Sequence, residues 1–120
     1  MLFFGAVKDL NPGKVVSRKS KLINPYLIRE QSMLTFEAAP HQGVNNIIEK
    51  MTSLPFQRVA HRIASLDAQP SISNGIFVVV TGELLVDDEQ NPQRFTQAFQ
   101  LIPEGSTYWV LNDIFRLNYG

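Results

Sequence analysis

The stretch IFVVVTGELLV, Ile76–Val86, has the composition of a long β-strand and lies at the centre of a series of such stretches. The run QRVAHRIASLDAQP precedes it at 57–70, and the runs RFTQAFQLI and YWVLNDIFRLNY follow it at 94–102 and 108–119. The segments that join them, PSISNG, DDEQNPQ and PEGST, have turn and loop compositions. Four long strands in succession predict an antiparallel meander.

One helix is predicted ahead of these strands. In GVNNIIEKMTSL, residues 43–54, apolar side chains recur at helical spacing, and Pro55 ends the helix. The apolar positions are Val44, Ile47, Ile48, Met51 and Leu54. A short strand, SMLTFEA, is predicted before the helix at 32–38. We therefore expect an α+β domain in which the meander curls around the helix.

Composition and charge narrow the classes of function. The chain has 120 residues, of which 44% are hydrophobic and 18% charged, and this fits one globular domain. It has no cysteine, which removes disulfides and thiolate metal sites. Residues 1–30 carry six basic and two acidic side chains, whereas the remaining 90 carry five basic and nine acidic ones. The acidic part predicts a receptor for a basic protein surface and no nucleic-acid partner, although an ordinary solvated surface has the same composition. No apolar run approaches the roughly 20 residues of a membrane-spanning helix, so we expect no membrane insertion.

The two histidines do not predict a catalytic or metal site. His61 and Asp67 are six residues apart on one predicted strand, which puts them on the same face but roughly 20 Å apart. A general base and its orienting carboxylate need about 2.6–3.2 Å, so we predict no catalytic dyad and a packing role for His61. His41 lies in the loop PHQG, without a metal-site spacing to His61. Phosphate-binding glycine loops and serine elbows are also missing, so the residues offer no motif for an enzyme, a cofactor or a metal, although an enzyme site built on carboxylates would leave no such motif.

Carboxylates and aromatic residues are the remaining candidates for a function. Asp87, Asp88 and Glu89 follow a predicted strand, and alternation sends Asp87 and Glu89 to one side. We expect this cluster in water, because burial would raise the pKa of its members. Phe36 and Glu37 form a second group of an aromatic residue and an acid. The pattern alone fits a polar hairpin tip as well as a binding surface.

From about residue 27 to residue 120 the chain resembles the nuclear transport factor 2 family, in particular its fungal members. The segments that carry the resemblance are SMLTFE, HQGVNNIIEKMTSLPFQRVAHRIASLDAQP, GELLVDDEQNPQRFTQAF and LIPEGSTYWVLNDIFRLNYG. They are more specific than any of the short motifs above. The resemblance implies a cone-shaped α+β domain at 27–120, with a curved antiparallel sheet wrapped around helices and an open hydrophobic cavity.

The resemblance also implies a function. The family carries the small GTPase Ran, in its GDP-bound form, into the nucleus and binds phenylalanine–glycine repeats of nuclear pore proteins. Its members are carriers without enzymatic activity or a cofactor, and they form homodimers through the outer faces of their sheets. We expect the same of this chain, with a location in cytoplasm and nucleus and a concentration at the nuclear pore.

Matched position by position, the resemblance implies three groups of site residues. Glu37, Asp87 and Glu89 form an acidic rim that meets basic side chains of Ran. Phe36 stands beside the cavity, at a position where many members have tryptophan. Residues that line the cavity and receive an aromatic side chain from Ran are Leu54, Val59, Leu84, Val86 and Phe115. Ile114 faces the partner subunit, and we expect Val110 to be exposed with it in the dimer interface.

The first 26 residues depart from the family pattern. Members begin with a helix patterned with aromatic residues, which contributes to the site for pore repeats, and MLFFGAVKDLNPGKVVSRKSKLINPY does not match it. We therefore expect residues 1–26 to be a divergent and poorly packed segment, with the first family helix missing or replaced.

Two other functions are known on the same fold. One is a dimerising adaptor of the messenger-RNA-export or stress-granule type, and the other is a cavity enzyme of the isomerase or dehydratase type. Enzymes of this fold place acids and bases inside the cavity. Here the predicted interior is apolar apart from His61 and Asp113, which favours a carrier over an enzyme.

Overall fold

The computed structural model describes residues 15–19, 27–54, 58–87 and 91–118. The elements are, in chain order, β1 Val15–Lys19, β2 Ile28–Phe36, β3 Ala39–Gln42, α1 Val44–Thr52, β4 Arg58–Pro70, a short 3-10 helix Ile72–Asn74, β5 Ile76–Val86, β6 Gln93–Glu104 and β7 Thr107–Leu117. The predicted helix and the four predicted long strands are confirmed. The strand predicted at 32–38 belongs to the longer β2. In the described parts of the chain, neither helix has the length and hydropathy that a membrane span needs.

The strands form one curved, open sheet in the order β1-β4-β5-β6-β7-β2-β3. Strands β4 to β7 are the predicted antiparallel meander. Strand β2 adds to β7 in parallel, and β3 pairs antiparallel with β2. The parallel pair was not predicted, because nothing in the local sequence shows that β2 returns to β7. Its consequence is that the last residue of β2, Phe36, lies beside Phe115 near the end of β7.

The core lies between one face of the sheet and α1. Its buried apolar members are Leu34, Ile47, Met51, Leu54, Val59, Ile63, Val78, Val80, Leu84, Phe95, Phe99, Leu101, Val110 and Phe115. Each fully buried large apolar side chain contributes about 1.5–3 kcal/mol relative to an exposed one.

Helix α1 has a weak N-terminal cap. Gly43 offers no side-chain cap, and Glu30 accepts a hydrogen bond from Val44 N at 3.4 Å. Burial of Ile47 and Met51 therefore stabilises the helix more than its cap does.

A β-bulge in β4 changes which side chains share a face. Ile63 pairs with Gly82 and Ser65 with Thr81, so Ala64 is an extra residue. A Cβ added to Gly82 would lie 2.2 Å from the carbonyl oxygen of Arg62, so only glycine fits against the bulge.

A second bulge corrects one prediction. Leu101 pairs with Val110 but Gln100 pairs with Asn112, so Leu111 is an extra residue in β7. The alternation of faces therefore reverses between Val110 and Ile114. Val110 lies in the core with 8% exposure, whereas Ile114 is 48% exposed on the outer face. The prediction that Val110 is exposed together with Ile114 is wrong.

The N-terminal region contains a strand that the sequence did not predict. Strand β1 pairs antiparallel with β4 at the edge of the sheet. The surrounding segments NPGK and SRKSK show no sustained apolar period, which is why no element was placed there. Residues 1–14 and 20–26, where the proposed loss of the first family helix falls, lie outside the described residues. Poor packing of residues 1–26 stays a prediction.

Candidate functional site

An apolar pocket of about 60 Å³ opens at one end of the sheet. The side chains that line it are Phe36, Val59, Leu84, Val86, Gln93, Phe115 and Leu117. They come from the ends of β2, β5 and β7 and from the starts of β4 and β6. These five strand termini meet because β4 to β7 are antiparallel neighbours and β2 runs parallel to β7.

Four of the five residues predicted to line the cavity line this pocket, and Phe36, which was predicted beside it, is also in the lining. Leu54 is the exception, because it is buried in the core with 6% exposure and does not belong to the lining. The sequence did not predict Gln93 and Leu117 as lining residues. The alternation of side chains along a strand could have indicated that Leu117 lines the pocket, because it is two residues after Phe115 on the same strand. The position of Gln93 follows from its pairing with Leu84, which the sequence alone does not give.

Four rings in contact, Phe36, Phe115, Phe95 and His61, extend from the pocket into the core and are here called the aromatic column. Phe36 stacks on Phe115 with centroids 5.2 Å apart, and Phe115 stacks on Phe95 at 5.8 Å. His61 meets Phe95 edge to face at 5.4 Å. Aromatic pairs of these geometries contribute about 0.5–1.5 kcal/mol beyond the burial of their area. The pocket wall is therefore fixed by packing before any partner binds.

Glu37 is held at the edge of the pocket by its backbone and its side chain. It follows Phe36 in the turn between β2 and β3, with a φ of 51°. Its N–H donates to the carbonyl of Phe115 at 3.1 Å. One oxygen of its carboxylate accepts a hydrogen bond from the N–H of Leu117. Because an ionised carboxylate accepts several hydrogen bonds, this side chain can both support the pocket and bind a cation of a partner.

Two further charged residues lie at the pocket edge. Asp87 is exposed directly after Val86, at the end of β5. Lys50, in the last turn of α1, places its Nζ over the ring of Phe36, 5.0 Å from the centroid. The sequence gave no role to this lysine. Glu89, the third member of the predicted acidic rim, lies outside the described residues.

A polar pair lies inside the core, away from the pocket lining. Asp113 is 9% exposed, and Gln97 is fully buried. Gln97 Nε2 donates a hydrogen bond to Asp113 Oδ1 at 2.7 Å. Burial raises the pKa of Asp113 to about 7, although the hydrogen bond from Gln97 opposes this shift. Asp113 and Gln97 occur on neighbouring strands and not at the pocket, so they support the fold.

The structure places the two residues of the rejected dyad on different faces of β4. His61 is 1% exposed and pairs in register with Leu84, whereas Asp67 is exposed and pairs with Val79. The bulge in β4 puts them on opposite faces, so the prediction of a shared face is wrong and the prediction of no dyad is confirmed. His41 lies in β3 rather than in a loop. Among the described residues, no group of three histidine and carboxylate side chains could hold a metal ion.

Comparisons with known proteins find relatives that share this sequence and fold. The sequence profile described as Nuclear transport factor 2 (NTF2) domain matches residues 15–117. A relative from Kluyveromyces lactis, named nuclear transport factor 2, is 62% identical over 104 residues, which are 86% of this chain and 82% of the relative. The structure of nuclear transport factor 2 from Cryptosporidium parvum has a TM-score of 0.74 at 47% identity, and the match covers 78% of this chain and 76% of that one.

More distant structures share the fold alone. A putative scytalone dehydratase from Novosphingobium aromaticivorans has a TM-score of 0.60 at 10% identity, and the match covers 79% of this chain and 68% of that one. The same fold therefore occurs in a protein named as an enzyme as well as in transport factors. The function of this chain has to be inferred from the residues at the pocket and not from the fold.

Proposed function

We propose that this chain, which belongs to the nuclear transport factor 2 family, carries the small GTPase Ran in its GDP-bound form into the nucleus. The observation that carries the proposal is the apolar pocket with Glu37 and Asp87 at its edge. On this proposal the chain moves between cytoplasm and nucleus and concentrates at the nuclear pore, where it binds phenylalanine–glycine repeats.

The pocket suits a single apolar anchor of a protein partner. Its walls are aromatic and branched side chains, and the polar side chain in the lining is Gln93. Binding energy at protein interfaces concentrates in such anchors, which fill a preformed pocket and exclude water. The aromatic column keeps Phe36 and Phe115 in place, so binding does not require their ordering.

The carboxylates at the edge suit a basic partner. Charges at the edge of an interface increase the association rate and fix the orientation of the partner. Glu37 is already oriented by its bond from Leu117, so it loses little side-chain freedom when a cation binds. Asp87 is exposed, and water and salt weaken its interactions more.

A homodimer through the outer face of the sheet is part of the proposal. Register pairing places Met33, Asn112, Gln100 and Phe77 in one row across four strands, and Thr35, Ile114, Ala98 and Val79 in the next. In these rows Met33, Phe77 and Ile114 are 36%, 44% and 48% exposed. We call Met33, Phe77, Val79, Ala98 and Ile114 the outer patch. An exposed apolar patch of this kind suits self-association, in which the same patch of two copies meets across a twofold axis.

An enzyme of the dehydratase type is the weaker candidate. The interior residue with a pKa near neutrality, Asp113, is hydrogen-bonded to Gln97 and is not part of the pocket lining. A general acid or base must reach a substrate within hydrogen-bonding distance. The relatives named nuclear transport factor 2 also indicate a protein without catalysis.

The test is calorimetric titration of the chain with Ran loaded with GDP or with GTP. A carrier of the proposed type binds GDP-loaded Ran and discriminates against GTP-loaded Ran. A dimerising adaptor binds neither, and that result would remove the proposal. Retention of the chain on immobilised phenylalanine–glycine repeats, compared with repeats in which serine replaces phenylalanine, tests the pore-binding part separately.

A further inference from the structure

We infer that Lys50 selects the partner's charge pattern, and that the segment entering the pocket carries an acidic side chain next to its apolar anchor. The inference rests on the proposed function, since it concerns the same pocket. It implies a segment with charges of both signs, in which a basic group faces Glu37 and Asp87 and an acidic group faces Lys50.

The position of Lys50 is the first argument. Its Nζ lies 5.0 Å from the centroid of Phe36, and Phe36 lines the pocket. The ring of Phe36 is itself held by stacking on Phe115. Lys50 is half-buried in the last turn of α1, so its stem packs against the protein while its ammonium group stays at the pocket edge.

The second argument is that no described residue forms an ion pair with this cation. Within 27–54, 58–87 and 91–118, the ion pairs are Arg29 with Glu104 and Arg62 with Glu83, and neither includes Lys50. Salt screens charges over about 8 Å at physiological ionic strength, so the ammonium group, 5.0 Å from the ring centroid of Phe36, acts on a partner group that contacts this ring.

The positive charge of Lys50 restricts which partner segments can bind at the pocket. A wholly basic surface that pairs with Glu37 and Asp87 would be repelled by Lys50, because like and opposite charges at equal distance interact with equal magnitude. A segment with an acid on the side of Lys50 gains an attraction there instead. Charges of both signs beside one pocket also fix the direction in which a segment binds.

A purely structural role for Lys50 has to be distinguished. A cation in the last turn stabilises a helix through its dipole, and a cation over an aromatic ring is attracted by it. Both roles act on folding and do not depend on the charge of a partner. The variant Lys50→Met/Thr52→Lys tests the dipole role, because it restores a cation to the last turn at the exposed position of Thr52. The dependence of binding on the partner's charge tests the role of the cation over Phe36.

The experiment is titration of GDP-loaded Ran with the wild-type chain, Lys50→Met, Lys50→Glu and Lys50→Met/Thr52→Lys at low and high ionic strength. We expect Lys50→Met to bind about fivefold more weakly and Lys50→Glu at least about twentyfold more weakly, with smaller losses at high salt. The double variant should bind as weakly as Lys50→Met. Unchanged or tighter binding by Lys50→Glu, or recovery by Thr52→Lys, would overturn the inference.

Short peptides test the inference without Ran. Each peptide has a central phenylalanine with lysine on one side and either glutamate or lysine on the other, and is titrated into the 15N-labelled chain. We expect the wild-type chain to bind the glutamate peptide about fivefold more tightly, and Lys50→Glu to reverse this preference. Equal binding of both peptides overturns the inference.

The peptide experiment is independent of the Ran titration. If Ran does not bind the wild-type chain, the proposed function fails, while the peptide preference still decides the role of Lys50. If Lys50→Glu does not fold, Lys50→Met replaces it in this experiment. We then expect Lys50→Met to bind both peptides equally, and a preference kept by Lys50→Met would overturn the inference.

Discussion

Replacing Glu37 tests the most specific contact at the pocket, because one carboxylate supports the fold and is proposed to bind a cation of Ran. The N–H of Leu117 donates a hydrogen bond to this carboxylate. A hydrogen bond to a charged acceptor contributes about 1.5–3 kcal/mol to stability, whereas one to a neutral acceptor contributes about 1 kcal/mol. Glu37→Gln keeps an acceptor for Leu117, and Glu37→Lys removes it. We therefore expect the free energy of unfolding to fall by about 1 kcal/mol in Glu37→Gln and by about 2–3 kcal/mol in Glu37→Lys.

The effect on Ran binding should be larger than the effect on folding in Glu37→Lys. Reversal of a partly desolvated charge leaves the partner's cation facing another cation, which costs about 2–5 kcal/mol. Because about 1.4 kcal/mol is a factor of ten, the affinity should fall by more than tenfold. Glu37→Gln removes the charge but not the acceptor, so its loss should be several-fold and smaller. The unusual φ of 51° at this position contributes little to the difference, since glutamate, glutamine and lysine all have a Cβ.

Urea unfolding measures the first effect, and calorimetric titration of GDP-loaded Ran at low and high ionic strength measures the second. Val86→Ala is the matched control, because Val86 lines the pocket without a charge. Its loss of affinity should not depend on salt, whereas the losses caused by Glu37→Gln and Glu37→Lys should shrink at high salt. If a folded Glu37→Lys binds Ran as the wild-type chain does, the assignment of Glu37 to the interface is refuted.

Three further predictions concern the dimer, the core and the bulge. Ile114→Glu places a charge in the outer patch, and sedimentation should show a folded monomer; a persistent dimer would contradict the proposed interface. The raised pKa of Asp113, from 3.8 to about 7, means that the folded state holds its proton more tightly, so its contribution to stability falls as pH rises from about 4 to 7. Asp113→Asn keeps the acceptor for Gln97 and should flatten the pH dependence of urea unfolding; an unchanged slope would be evidence against the shift. Gly82→Ala should destabilise the chain by about 1–3 kcal/mol, because its Cβ would overlap the carbonyl of Arg62, and an unchanged melting temperature would contradict that overlap.

The elements of the fold could be predicted because their signals are local. The apolar spacing from Val44 to Leu54 is helical, and the strand-like runs between 57 and 119 are separated by turn compositions, so α1 and β4 to β7 follow from neighbouring residues. The parallel pairing of β2 with β7 is a contact between distant segments and leaves no local signal. The resemblance to the family, and not the periodicity, indicated that Phe115 lines a cavity and that Phe36 lies beside it.

The errors come from the two bulges. A single extra residue, Ala64 in β4 and Leu111 in β7, reverses the faces of all following side chains. The prediction assumed that side chains alternate between the two faces without interruption. It therefore placed Asp67 on the wrong face and predicted that Val110 is exposed. Gly82 was a possible signal for the first bulge, since a glycine within a strand often marks a close approach of another backbone.

The position of Lys50 could not be predicted for a different reason. Its place in the last turn of α1 follows from the sequence, but its contact with Phe36 depends on how the helix packs on the end of β2. A lysine in a helical segment has the same local pattern whether it lies at a pocket or in open solvent. Charges at a site between separate elements therefore require the tertiary structure.

The most direct test of the central claim is a map of where GDP-loaded Ran contacts the chain. The backbone amide signals of the 15N-labelled chain are recorded with and without unlabelled Ran. The account predicts that the largest changes occur at the pocket and its edge, in Glu37, Val86 and Leu117, while Ile114 on the outer face is unchanged. Changes centred on the outer face, or no changes at a saturating concentration of Ran, would contradict it.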